Sequence, residues 1–216
     1  MLVLASASPR RSDLLAQAGY EFRVLPAEIC EDLQPGEQPI PYVLRVAREK
    51  AGAVAASPAY QTLAAAHPEE SALVLAADTT VVAPNGDILA KPENDADAAR
   101  MLRLLSGATH QVITGVALLE PAHANAPAMP AEVAAEVTHV TVAHLSDHDI
   151  AGYISTGEPR GKAGAYAIQG RFARFVPRIH GCYFNVVGLP LSLVSAMIEA
   201  AQQRHSVEAA TQSTLF

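Results

Sequence analysis

Near the N-terminus, Ser6-Ala7-Ser8-Pro9-Arg10-Arg11 joins a short apolar run to a helix start. Such a turn leaves the first backbone N–H groups of the helix unpaired, and the aligned peptide dipoles add partial positive charge there. Two guanidinium groups at the same point would make a phosphate site with planar, bidentate donors. An ordinary capped helix with solvated arginines is the alternative. Asp78 closes the apolar run Leu73 to Ala77. A carboxylate there is costly to bury unless a cation, a metal or a proton donor meets it, and in open α/β sheets such strand ends face the ligand crevice. A structural turn shared with Thr79 and Thr80 is the alternative. Lys50, Lys91 and Glu31 are isolated charges that singly read as solvated side chains. Together with Asp78 they supply carboxylates for a divalent cation and ammonium groups for phosphates.

Other familiar chemistries fail on spacing. Gly157-Glu-Pro-Arg-Gly-Lys-Ala-Gly164 suggests a phosphate loop, but three residues rather than four separate Gly157 from Gly161, and Ala163 stands where a metal-binding hydroxyl is needed. His144 and His148 are divided by Ser146, a helix-capping residue, which argues against joint metal ligation. Cys30 and Cys182 form no CxxC or Cys/His pattern and read as two buried free thiols. No Ser, Cys or His lies in a recognisable nucleophile motif.

The elements that must position these residues follow from periodicity and punctuation. Leu2–Ala5 and Phe22–Leu25 read as strands flanking a helix, with Ser8 as N-cap, Pro9 in the first turn and a stop at Gly19. An acidic, Pro-rich loop over Glu28–Pro41 precedes an amphipathic helix, Tyr42–Ala56, and Ser57–Ser71 reads as a loose connection. Ala72–Val82 is a strand carrying Asp78, and Asn85-Gly86-Asp87 signals a hairpin. Asn94 or Asp95 caps a helix to Leu105. Gln111–Leu119 and Val133–Leu145 form a long hairpin whose Ala/Pro-rich tip, Glu120–Glu132, reads as mobile. Ser146 caps a helix over Asp147–Ser155, a strand pair follows near Phe172–Val187, and a last helix spans Leu189–Gln203 before a frayed polar tail, 204–216. Helices alternate with strands early and hairpins dominate later, so the fold class is α/β with a mixed sheet.

Composition narrows the function. The chain has 216 residues, half of them hydrophobic, so a disordered chain is excluded. A net charge of −7 with 5% aromatics and no Trp argues against nucleic acid, which needs a cationic face and stacking rings. Basic residues follow rather than precede the apolar start, unlike a signal peptide, and no run approaches the ~20 residues of a membrane span. A cytoplasmic protein is the expectation.

In order along the chain, Leu4-Ala-Ser-Ala-Ser-Pro-Arg-Arg11, Arg48-Glu-Lys-Ala51, Ala77-Asp-Thr-Thr-Val81, Lys91-Pro92, Ser106-Gly107 and Thr114-Gly-Val116 resemble the Maf family of nucleoside triphosphate pyrophosphatases. Gly157-Glu-Pro159, Lys162-Ala-Gly-Ala-Tyr166, Ile168-Gln-Gly170 and Val186-Val-Gly-Leu-Pro190 extend the resemblance over nearly the whole chain. It implies a long mixed sheet flanked by helices, in two lobes around a central cleft over residues 1–203. It also implies hydrolysis of a nucleoside triphosphate to the monophosphate and diphosphate with Mg²⁺ or Mn²⁺. Asp78 matches the catalytic carboxylate, and Glu31 with Asp78 the metal ligands. Ser8, Arg11, Lys50 and Lys91 match phosphate-binding positions. Arg10, Thr79 and Gln169 match the subfamily acting on dTTP and UTP, whereas the 7-methyl-GTP group resembles a pattern with a residue other than Arg at position 10, Gln at 79 and Glu at 169. A Gln amide offers the donor and acceptor that the O4/N3–H edge of uracil or thymine requires. Cys30 departs from the family, where many relatives carry an acid before Glu31. A 7-methyl-GTP enzyme and a non-catalytic nucleotide-binding regulator of septum formation are the alternatives, and the oligomeric state, a homodimer included, stays open.

Overall fold

A computed structural model describes residues 1–67, 72–121 and 131–213, with side chains as far as Arg204. The strands are β1 (Leu2–Leu4), β2 (Arg23–Val24), β3 (Leu73–Val82), β4 (Ile88–Leu89), β5 (Thr109–Leu119), β6 (Glu132–Thr141) and β7 (Arg178–His180). The helices are α1 (Pro9–Gln17), α2 (Pro39–Ala55), α3 (Pro58–Ala66), α4 (Asp95–Leu105), α5 (Asp147–Ile154), α6 (Tyr183–Val187) and α7 (Leu191–Ser213). Residues Ala163–Ala165 and Arg171–Phe175 form 3₁₀ turns.

The strands build one mixed sheet in the order β2-β1-β3-β5-β6-β7, with β4 also paired to β3. β1 is parallel to β2 and β3, and every other pairing is antiparallel. Successive strand residues face opposite sides. Leu2, Leu4, Leu73, Leu75 and Ala77 accordingly join α1, α4, α5 and α7 in one apolar cluster. Val3, Ala5, Val74 and Ala76 join α2 and α3 in the other. The sheet is thus covered on both faces, as its parallel part requires.

The expected α/β class, the mixed sheet and the long hairpin all hold, the hairpin pairing Thr109 with Thr141 through Leu118 with Glu132. Its expected tip lies largely outside the described residues, at 122–130. Five expectations are corrected. The connection after α2 contains α3, started by Ser57, whose hydroxyl accepts from Tyr60 N–H at 3.2 Å, and by Pro58 in the first turn. The strand pair near Phe172–Val187 reduces to β7, preceded by a 3₁₀ turn and followed by α6. Phe172 is fully buried among Tyr153, Tyr166 and Phe175, and this packing overrides the β-propensity of its segment. Both thiols are free, but Cys30 is exposed and Cys182 half-buried, because Cys30 sits in the loop before α2 and not in a core-facing run. Ser8 stands at the N-cap of α1 without a side-chain capping bond. The helix α7 also passes the expected stop at Gln203, where no Gly or Pro interrupts the sequence.

Candidate active site

One edge of β3 is only partly covered. β1 pairs with Leu73–Leu75 and β4 with Val81–Val82, so the stretch between them has no strand on that side. Asp78 and Thr79 lie in this gap, and a cleft of about 590 Å³ opens there. Its lining includes all nine residues singled out in the sequence: Ser8, Arg10, Arg11, Glu31, Lys50, Asp78, Thr79, Lys91 and Gln169.

Strand alternation sends Asp78 and Thr79 to opposite faces. Asp78 shares the side of Val74 and Ala76, facing α2. There Lys50 occupies the core-facing stripe of Val43, Val46, Ala47 and Val54, at helical spacing. Lys50 Nζ lies 2.8 Å from Asp78 Oδ1 and 2.9 Å from Glu31 Oε1. Lys50 and Asp78 are both buried, at 7% and 6% exposure, and neither charge would tolerate that position alone. Burial would raise the Glu31 carboxyl, but the hydrogen bond and charge of Lys50, with Lys91 and Arg11 behind it, hold it below its ordinary value. The backbone of the loop bearing Glu31 is also tied to α2. Tyr42 O–H donates to Glu31 O at 2.9 Å, and Arg45 Nη2 donates to Asp32 O at 3.0 Å. Burial, helped by the nearby Asp78 and Glu31 charges, pushes the Tyr42 phenol up to about 12.

Thr79 faces α1. The buried Arg11 donates from Nη2 to Thr79 Oγ1 at 3.1 Å, from Nη1 to Ser6 Oγ at 3.2 Å, and from Nε to Gly188 O at 2.9 Å. Thr79 Oγ1 lies 2.9 Å from Thr114 Oγ1, which donates in turn to Asn185 O at 3.2 Å. With the Thr114 proton on Asn185 O, Thr79 donates to Thr114, and Gly188 O lies within its reach at 3.5 Å. The Thr79 hydroxyl therefore orients Arg11. Burial lowers the affinity of Arg11 for its proton, against the opposing pull of Asp78.

The side chains of Arg10, Lys91 and Gln169 make no hydrogen bond or ion pair among the described residues, and all three residues line the cleft. Burial lowers Arg10 as well. Lys162, missed as a site residue in the sequence reading, also lines the cleft. Burial and the Arg10 charge push its ammonium down. Its signal was its place in the Gly-dense stretch, obscured there by the failed phosphate-loop spacing. Tyr42 was missed too, since its bond to Glu31 O lies outside any local motif, and Ser6, though it opens the Ser6–Arg11 segment, was not singled out as a partner of Arg11.

The protein's donor set fits a divalent cation. Two carboxylates converge on one ammonium, and a hard cation such as Mg²⁺ takes one or two carboxylates with the rest of its shell from phosphate and water. No group of three or more His, Cys, Asp or Glu among the described residues could form an all-protein cage.

Residues 1–201 match the family model described as Maf-like protein. The chain belongs to the Maf family. A relative from Koribacter versatilis, named dTTP/UTP pyrophosphatase, is 52% identical over 93% of this Maf chain and 94% of its own. Relatives of the same name from Anaeromyxobacter dehalogenans and Syntrophomonas wolfei are each 48% identical, over 93% and 90% of this chain and 93% and 94% of theirs. Among solved structures, the Staphylococcus aureus Ham1 protein gives a TM-score of 0.41 at 14% identity, over 93% of this chain and 98% of that one. Among the described residues of this Maf protein, no helix is long and apolar enough to cross a membrane.

Proposed function

We propose that this chain hydrolyses dTTP and UTP to the nucleoside monophosphate and diphosphate, with Mg²⁺ or Mn²⁺. The observation that carries the reading is a buried carboxylate, Asp78, held by Lys50 in a cationic cleft of a Maf chain. Five cations line that cleft (Arg10, Arg11, Lys50, Lys91 and Lys162) against three carboxylates, Glu31, Asp32 and Asp78. A triphosphate is the ligand such an excess suits.

Water attacks the α-phosphorus, the bond to the α–β bridging oxygen breaks, and diphosphate leaves. Asp78 Oδ1 accepts from Lys50, while Oδ2 accepts no hydrogen bond among the described residues and is available to orient the water or take its proton. Ser8, Arg11, Lys50 and Lys91 hold the phosphates, and the cations offset charge developing on the leaving group. Asp78 and Glu31 are the residues that would hold the divalent ion, which supplies charge neutralisation on the phosphates when bound. Arg10, Thr79 and Gln169 select the base. The catalytic unit is residues 1–203, two lobes around the cleft. Among the described residues, none that lines the cleft lies beyond Gly188. A cytoplasmic setting and a free nucleotide as partner complete the reading.

The test is product analysis in H₂¹⁸O with Mg²⁺, across UTP, dTTP, CTP, GTP and 7-methyl-GTP. UMP and dTMP carrying ¹⁸O, together with diphosphate, are expected fastest. Asp78→Asn should slow turnover by about 10²-fold or more, as loss of a general acid/base does. A nucleoside diphosphate with orthophosphate, preference for 7-methyl-GTP, or binding without turnover would overturn the assignment.

A further inference from the structure

Gln169 stands in a turn that is fastened on both sides by one pair of side chains. Two residues before it, Ala167 N–H donates to Tyr153 Oη at 3.1 Å. Two residues after it, Arg171 N–H donates to Glu158 Oε2 at 3.0 Å. The pair is itself joined, Tyr153 O–H donating to Glu158 Oε1 at 2.7 Å. Gly170 N–H closes the turn onto Ala167 O at 3.1 Å. A Cβ at Gly170 would run into the Glu158 carboxylate, which would have to shift, so the carboxylate lies directly against the turn.

The far end of the pair is anchored as well. Glu158 N–H donates to Thr156 Oγ1 at 3.1 Å, and Lys162 Nζ donates to Glu158 O at 2.6 Å. Tyr153 is 3% exposed, with its ring 5.1 Å from that of Phe172. Burial and the bond to Glu158 both raise its phenol, so it stays a donor across the neutral range. Of the fastened residues 167–171, Ala167 and Gln169 line the cleft, and only Gln169 brings a polar side chain to it. A hydrogen-bonded phenol and carboxylate are a costly way to hold a turn that two apolar residues could cover.

We propose that Tyr153 and Glu158 are positioning residues for base selection, a brace that holds the Gln169 amide at a set place in the cleft. The inference rests on the reading of Gln169 as the residue that meets the pyrimidine edge. A hydrogen-bonding site discriminates only when its groups are held to the ligand's spacing. Loosening the brace therefore affects the choice between bases more than it affects turnover.

The experiment compares kcat/KM for UTP and GTP in the wild type, Tyr153→Phe, Glu158→Gln, Gln169→Ala and Tyr153→Phe/Gln169→Ala, with near-UV circular dichroism of each. Tyr153→Phe keeps the ring on Phe172 and removes the hydroxyl that links Ala167 to Glu158. The UTP-to-GTP ratio should fall about tenfold in Tyr153→Phe and in Glu158→Gln, and adding Tyr153→Phe to Gln169→Ala should lower it no further. Should Tyr153→Phe fail to fold, the ratio in Glu158→Gln decides. Equal losses on both nucleotides would overturn the brace. If Gln169→Ala lowers the ratio and the brace variants do not, the brace alone falls. If Gln169→Ala leaves the ratio unchanged, the base-reading role of Gln169 falls and the brace with it.

Discussion

Lys50 touches Asp78 and Glu31 at once, so the two carboxylates share one ammonium. Removing one partner of a buried pair strands the other, at about 3–5 kcal/mol. Truncation of Lys50 is thus a stability experiment as much as a kinetic one. His110 is a cleaner residue-scale probe. It is 1% exposed, its Nε2 lies 2.8 Å from Tyr166 Oη, and its Nδ1 has no partner among the described residues. Burial pushes its imidazole down from 6.5 to about 4. Between those values the unfolded ring takes a proton that the folded ring refuses, so stability is full above pH 6.5 and falls as the pH drops towards 4. Linkage puts the whole loss at about 3 kcal/mol, with about 2 kcal/mol gone by pH 5. Urea titrations at pH 7 and pH 5 should show this loss in the wild type and a correspondingly smaller one in His110→Gln. Equal losses in the two proteins would remove His110 as the cause.

At the scale of elements, the distance between α2 and the sheet decides whether Lys50 reaches Asp78. Gly115 on β5 sits directly opposite Asp78 on β3. A Cβ there would come 2.5 Å from the backbone C and O of Val43. The helix lies on the strand at this glycine, and any side chain would push it outwards. Gly115→Val should cost about 1–3 kcal/mol or more through overpacking. It should also lower kcat by up to about 10²-fold, the scale of a 1 Å misplacement. Gly52, on the same helix, has open space where a Cβ would stand. Gly52→Ala should raise stability by up to about 1 kcal/mol through helix propensity and leave kcat as it is. Thermal melts and initial rates on both variants check the pair, and a fully active Gly115→Val would show that the close approach is dispensable.

Charge distribution acts at the scale of the whole molecule. A chain of net charge −7 repels nucleotides at a distance, yet its cleft holds five cations against three carboxylates. Arg10 and Lys91 are the cations there with no partner among the described residues. Salt screens charges that reach solvent over about 8–10 Å. Raising the ionic strength should therefore lower kcat/KM for UTP while kcat, set inside the cleft, changes little. Steady-state rates across a salt series check this, and Lys91→Gln should flatten the dependence. A fall confined to kcat would contradict capture by the cationic cleft.

The sequence by itself determined the pieces whose signals lie within a few residues. Apolar runs set β1 and β3, Pro9 sits in a first helical turn, and Asn85-Gly86 turns β3 back to β4. Its chemistry-bearing residues were legible too, because a carboxylate closing a buried run and arginines at a helix start are anomalous within any short window. Only the tertiary structure decided which of them meet. Lys50 and Asp78 are 28 positions apart, and Arg11 reaches a carbonyl 177 positions away. Those meetings follow from strand register and from how closely α2 packs on β5, quantities no local pattern encodes. Tertiary packing likewise drew Phe172 into an aromatic cluster instead of a strand, and set Tyr153 and Glu158 beneath the Gln169 turn. Each of these choices depends on which surface happens to lie opposite, and that surface exists only once the sheet has formed.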